Sequence, residues 1–224
     1  MHLKALVEFL SGLEQNNNRP YFVWHKPAYD VLREEFEALT ADIIVRVRRF
    51  DRALGAVDPK KTLFRIYRDT RFSKDKTPYK THFSAAIRER AKKGLEPGYY
   101  FHIDHRGSLL AGGGIYNPDP AILARIRRYI ARHPAALTRV LREARFKKTY
   151  GGLVADDALQ RPTKGFAADT PHLESIKLKH YFGVVEVDIV KSPPKDLAGA
   201  IAGYCRDLLP LMQWLRRAVA SEKT

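Results

Sequence analysis

Between Arg65 and Lys80 the sequence reads RIYRDTRFSKDKTPYK, setting six cations (Arg65, Arg68, Arg71, Lys74, Lys76 and Lys80) beside two carboxylates, Asp69 and Asp75. Arginine presents a planar fork of donors that matches the oxygens of a carboxylate or phosphate, and lysine adds a compact point charge. Two rings, Phe72 and Tyr79, sit inside this charge, where a bare solvated loop has little use for either. Tyr79 is suited to stack on a ligand ring or to donate its hydroxyl. Asp69 and Asp75 have three open roles: orienting the arginines, accepting a proton from a ligand hydroxyl, or holding Mg2+ beside a phosphate. An internal ion-pair network that locks a long loop onto the fold is one reading. The other, which we take as the expectation, is an anion site, because two carboxylates cannot neutralise six cations and a guest anion would. Its ligand-binding residues are then Arg65, Arg68, Arg71, Lys76, Tyr79 and Lys80, with Asp69 and Asp75 as candidate catalytic groups. No metal ligand and no particular cofactor is assigned.

Other constellations are thinner. His82, His102, Glu186 and Asp188 can share one sheet face, and His102-x-Asp104-His105 superficially offers metal ligands. Strand spacing sends His102 and His105 to opposite faces, so solvated polar side chains are the expectation there. Gly112-Gly113-Gly114 lacks the spacing and following helix of a phosphate-binding fingerprint and reads instead as a bulge or a close backbone approach. Cys205, the only cysteine, falls among apolar helical residues and is expected in the core. No serine-centred elbow or kinase-type motif is present.

These residues need a scaffold. Leu63–Arg68 reads as a strand, Phe64 and Ile66 to one side, Leu63, Arg65 and Tyr67 to the other. For the two arginines at 65 and 68 to converge, the backbone must turn near Asp69. Pro78 pushes Thr77 toward an extended conformation, so the chain is expected to re-enter a sheet directly afterwards. Alternation then predicts strands over 81–88, 99–104 and 109–116, with a connection at Lys92-Lys93-Gly94 and a tight turn at His105–Ser108. A further strand covers Phe182–Val190. Helical spacing predicts helices over 2–15, from Pro27 to about Ala53, over 121–132, after His133-Pro134, over 171–180 and over 196–220, the last kinked or divided by Pro210. Asn16–Pro20 reads as a break and 146–170 as irregular. The fold class is therefore α+β, an antiparallel meander sheet flanked by N-terminal and C-terminal helices. One domain is expected: a helical N-terminus 1–55, a sheet-forming middle 60–117, helices 120–145, and a strand with C-terminal helices over 171–220.

Arg65-x-x-Arg68-Asp69-x-Arg71-Phe72-x-x-Asp75-Lys76-x-x-Tyr79 resembles the signature of a bacterial domain-of-unknown-function family whose members are about this long. Tyr99-Tyr100 with Gly112–Gly114, and Arg161-Pro162 with Lys164-Gly165-Phe166, are similar to its pattern as well. The resemblance covers nearly the whole chain and implies nothing about activity.

The formal charge of +15 is concentrated: residues 60–93 carry a net +9, residues 120–150 a net +8, and the remainder is slightly acidic. Such patches steer anionic partners. They leave an alternative to the small-ligand reading, a sequence-nonspecific nucleic-acid-binding module. In it the 65–80 loop and the arginine-faced helices of 121–145 follow a phosphate backbone, and Tyr99, Tyr100 and Phe101 offer stacking surface. One cysteine rules out an internal disulfide and favours a reducing compartment. Residues 1–13 make a poor signal peptide, and no uncharged run reaches the ~20 residues of a membrane span. A soluble, cytoplasmic chain is the expectation.

Overall fold

A computed structural model describes residues 1–88, 96–161 and 164–221. The connection read at Lys92-Lys93-Gly94, and Pro162 of the family-like pattern, lie outside the described residues. The described chain is α+β: its four strands form one antiparallel sheet in the order β1-β2-β3-β4, with β1 at His82–Ile87, β2 at Gly98–Asp104, β3 at Ser108–Ile115 and β4 at Tyr181–Asp188. Contacts group the residues into two compact units, and each is described by itself.

The first unit comprises Met1–Ile87, Tyr100–Ala111 and Glu186–Gly203. Helix α1 (Leu3–Gln15) buries Leu6, Phe9, Leu10 and Leu13, the apolar stripe that its three- and four-residue spacing dictates. The expected break at Asn16–Pro20 is a helix start. Asn18 accepts the Tyr21 amide and Pro20 sits in the first turn, so both residues nucleate the short helix α2 (Arg19–Trp24). Helix α3 (Lys26–Arg48) begins with Pro27 in its first turn and buries Tyr29, Leu32, Phe36, Leu39, Ile43 and Val47. Phe36 meets Phe83 of β1 edge to face at 5.6 Å and Phe101 of β2 at 5.3 Å, so α3 is fixed on the sheet by ring contacts worth roughly 0.5–1.5 kcal/mol each beyond their area. The one-turn helix α4 (Pro59–Thr62) then leads to the loop, with Asp58 accepting the Lys60 amide as its cap.

The strand expected over Leu63–Arg68 is not a regular one. It pairs only through single bridges, Leu63 with Ala85 and Tyr67 with Tyr79. Its hydrogen bonds change partner midway: the Phe64 amide donates to Ser84 O, whereas Ile66 O accepts the Lys80 amide and the Arg68 amide donates to Pro78 O. One segment thus serves two partners, and neither ladder can lengthen. Between β2 and β3, the Asp104 carboxylate takes the amides of Arg106 and Ser108 (both 2.9 Å) while Gly107 adopts φ +78°. This is the tight turn expected at His105–Ser108.

The second unit comprises Arg88–Tyr99, Gly112–Val185 and Tyr204–Thr224. Helix α5 (Pro120–Arg132) buries Ile122, Ile126 and Ile130, and α6 (Pro134–Arg142) buries Leu137 and Val140. A third helix, α7 (Ala144–Tyr150), replaces part of the region read as irregular; Glu143 caps it by accepting the Phe146 amide at 2.6 Å. Conversely, the helix expected over 171–180 shrinks to one turn, α8 (Leu173–Ile176), bounded by His172 in the left-handed region at φ +58°. Pro210 divides the C-terminal helix into α9 (Leu197–Asp207) and α10 (Leu209–Ala220), since a proline is accommodated in a first turn but not in a helix interior. Trp214 of α10 lies in the core beside Tyr129 of α5 and Tyr181 of β4, and Cys205 is buried. The glycine run resolves as a close backbone approach: a Cβ on Gly114, whose φ is +135°, would collide with the Tyr181 carbonyl of β4.

Candidate functional site

Six of the eight loop residues singled out above are engaged with one another or with the backbone. Arg68 Nη1 bonds both the Asp75 carboxylate and the Thr77 hydroxyl, and Asp75 also takes the Thr77 amide at 2.9 Å. Arg71 grips Asp69 through Nε at 2.9 Å and Nη2 at 2.7 Å. The Arg71 guanidinium, and after it the Arg71 backbone amide, holds Asp69 at about 2, and Arg68 with Thr77 does the same for Asp75. Carboxylates so firmly ionised, each already bonded to a guanidinium, are poor proton acceptors. Of the roles open to Asp69 and Asp75, this geometry shows them orienting Arg71 and Arg68. Lys76 Nζ donates to Thr70 O at 3.0 Å, closing the loop on itself.

Tyr79 corrects the sequence reading most. It is only 4% exposed, stacked on Phe22 of α2 at 4.2 Å, so its ring is core and out of reach of a ligand. Its backbone is held by a residue read only as a helix breaker. The Asn17 side chain donates to Tyr79 O and accepts from Tyr79 N, both at 3.0 Å. The loop tip is free of such anchoring, and Phe72 stands 94% exposed with the Arg71 guanidinium 5.7 Å from its ring centre.

Arg65 and Lys80 meet at the base of the loop. Among the described residues neither forms an ion pair with a carboxylate. Lys80 Nζ donates to Arg65 O at 2.9 Å and lies 5.2 Å from the Phe64 ring centre; burial, then the Arg65 charge, lowers its pKa. Lys80 stands at the head of a polar sheet face. His82 and Ser84 of β1 and Tyr100 and His102 of β2 point to this face, because Phe83, Ala85, Phe101 and Ile103 take the alternate positions in the core. The His82 and His102 rings lie 5.0 Å apart, and Tyr100 Oη is 3.1 Å from His102 Nδ1. Phe64 closes one side, its ring edge-on to Tyr100 at 6.2 Å.

Burial lowers the pKa of His82 to about 4, with His102 and Lys80 adding to the effect, and burial likewise lowers that of His102. Both imidazoles are neutral at pH 7. Burial raises the pKa of the Tyr100 phenol, which therefore stays protonated; where it donates to His102 Nδ1, the His102 proton sits on Nε2. His82 has no hydrogen-bond partner among the described residues and retains an acceptor nitrogen. The sequence hinted at this face through the alternation His82-x-Ser84 and Tyr100-x-His102, but the pairing of β1 with β2 was needed to bring the rings together.

The acidic residues expected to share this face are committed elsewhere. Glu186 accepts from Ser108 Oγ at 2.6 Å and from Arg106, and Asp188 caps the amides of Val190 and Lys191. Among the described residues no group of three or more His, Cys, Asp or Glu is arranged to hold a metal ion, and no helix is long and apolar enough to cross a membrane.

Neither a curated protein nor a solved structure matches the chain. A family model does, over residues 5–214, nearly the full length. The chain carrying this loop and this histidine-lined sheet face thus belongs to the conserved hypothetical protein family DUF2461.

Proposed function

We propose that the first unit binds a small phosphorylated or carboxylated molecule on the polar face of its sheet. Lys80 and Arg65 receive the anion, and the rest of the ligand lies over His82 and His102. The observation that carries this reading is the position of Lys80, an ammonium with no carboxylate partner among the described residues, next to a pair of neutral imidazoles. Lys80 is half-buried, and an ammonium partly withdrawn from water with no carboxylate beside it is costly, a cost that a ligand anion relieves. Beyond the anion, the face offers one acceptor, His82, and one donor, the His102 Nε2 proton when Tyr100 donates to Nδ1. Should the protein be an enzyme, the chemistry these groups support is proton removal by His82 with charge stabilisation by His102 Nε2–H and Lys80. The loop from Arg68 to Tyr79 is then the frame that fixes Arg65 and Lys80, with Arg68 matched to Asp75 and Arg71 to Asp69.

A thermal-shift screen of nucleotides, sugar phosphates and acidic metabolites tests the proposal. A ligand that raises the midpoint of the wild type is expected to lose that effect in Lys80→Gln and to lose part of it in Arg65→Gln. Arg71→Gln, which removes a cation already matched to Asp69, should retain it. Equal protection of wild type and Lys80→Gln by every anion would discard the site.

A further inference from the structure

The second unit contains a crevice that the sheet-face site does not use. It lies between α5 and the end of α10 and is lined by Arg125, Arg128, Tyr129, Arg132, His133 and Ser221. Arg125, Arg128 and Arg132 recur at i, i+3 and i+7, so one stripe of the helix carries all three. Like charges three residues apart oppose helix formation, and α5 contains no acidic residue to offset the pair Arg125 and Arg128. Nor do the neighbouring helices help: α6 and α10 have no Asp or Glu, and Glu143 is committed to capping α7. Arg125 is oriented by one hydrogen bond, Nη1 to Val219 O at 3.3 Å, at the carbonyl end of α10. Arg128 is exposed and makes no hydrogen bond or ion pair among the described residues. Beside them the rings of Tyr129 and His133 lie 4.6 Å apart, tilted 47° to each other.

We infer that this crevice binds a phosphate group. Arginine forks match phosphate oxygens in pairs, and a dianion placed between Arg125 and Arg128 removes the repulsion along α5. The phosphate can come from a free phosphate ester or from a nucleic-acid backbone, whose recognition uses the same chemistry.

Isothermal titration with pyrophosphate at low salt, together with anisotropy of a labelled single-stranded oligonucleotide over a salt series, tests the inference. Pyrophosphate is expected to bind the wild type, with affinity falling at least tenfold in Arg128→Gln and further in Arg128→Glu, both exposed substitutions that leave the melting curve in place. Lys80→Gln should bind as wild type does, which separates this site from the sheet face. Oligonucleotide binding that weakens steeply with salt and is equally sensitive to Arg128 identifies the backbone as the source. Pyrophosphate binding without oligonucleotide binding identifies a free phosphate ester. The inference is overturned if pyrophosphate fails to bind, or if its affinity is unchanged in Arg128→Glu.

Discussion

Neutral His82 ties stability to pH. Its pKa in the folded protein is about 4, against about 6.5 unfolded, so the unfolded chain binds the extra proton between those values. The contribution is complete above pH 6.5, is lost as pH falls toward 4 and does not change further below that. Allowing for solvent screening of a partly exposed ring, it amounts to on the order of 2 kcal/mol. Urea midpoints measured at pH 7 and pH 4.5 should differ more for wild type than for His82→Gln; equal differences would show that the ring titrates normally. A second residue-scale test concerns the loop. Removing the guanidinium in Arg68→Ala should return Asp75 from about 2 toward the ordinary carboxylate value near 3.9, read by carboxyl carbon shifts in an NMR titration. A value that stays low would assign the shift to the Thr77 donors instead.

At the scale of elements, the loop is held at its base rather than at its tip. Asn17, between α1 and α2, clamps both backbone groups of Tyr79, while the Tyr79 ring rests on Phe22. Asn17→Ala is expected to speed amide exchange from Ile66 to Lys80 with little change elsewhere. Tyr79→Phe should leave both stability and anion protection unchanged, because the ring contributes packing, whereas Phe22→Ala should cost about 3–5 kcal/mol in denaturant unfolding. In β3, Gly114→Ala places a Cβ against the β4 backbone at a dihedral that side chains avoid, for a loss of roughly 3 kcal/mol. A fully stable Gly114→Ala would mean that the two strands separate at little cost.

Across the whole molecule, the features legible in the sequence were those governed by periodicity. The stripe from Tyr29 to Val47, the alternation of Phe83, Ala85 and Ile87, and the division at Pro210 follow from geometry that any 3.6- or 2-residue repeat imposes. Helices α2 and α7 escaped because each is short, and their starts rest on single caps, Asn18 and Glu143, rather than on a repeat. In the loop, composition located the charged residues but not their pairing. Counting six cations against two acids cannot reveal that Arg68 and Arg71 take both acids, leaving Arg65, Lys74, Lys76 and Lys80 without one among the described residues. Nor does counting show that Lys80 lies close enough to His82 of β1 to help lower its pKa.

The burial of Cys205, the chain's single thiol, has a practical consequence. A thiol-directed chromophore added to the native protein can react only when α9 exposes the sulfur, so its rate is a clock for opening of that helix. Because no other cysteine competes, the same reaction repeated with anions present would time that opening with a ligand bound, one molecule at a time and without denaturant.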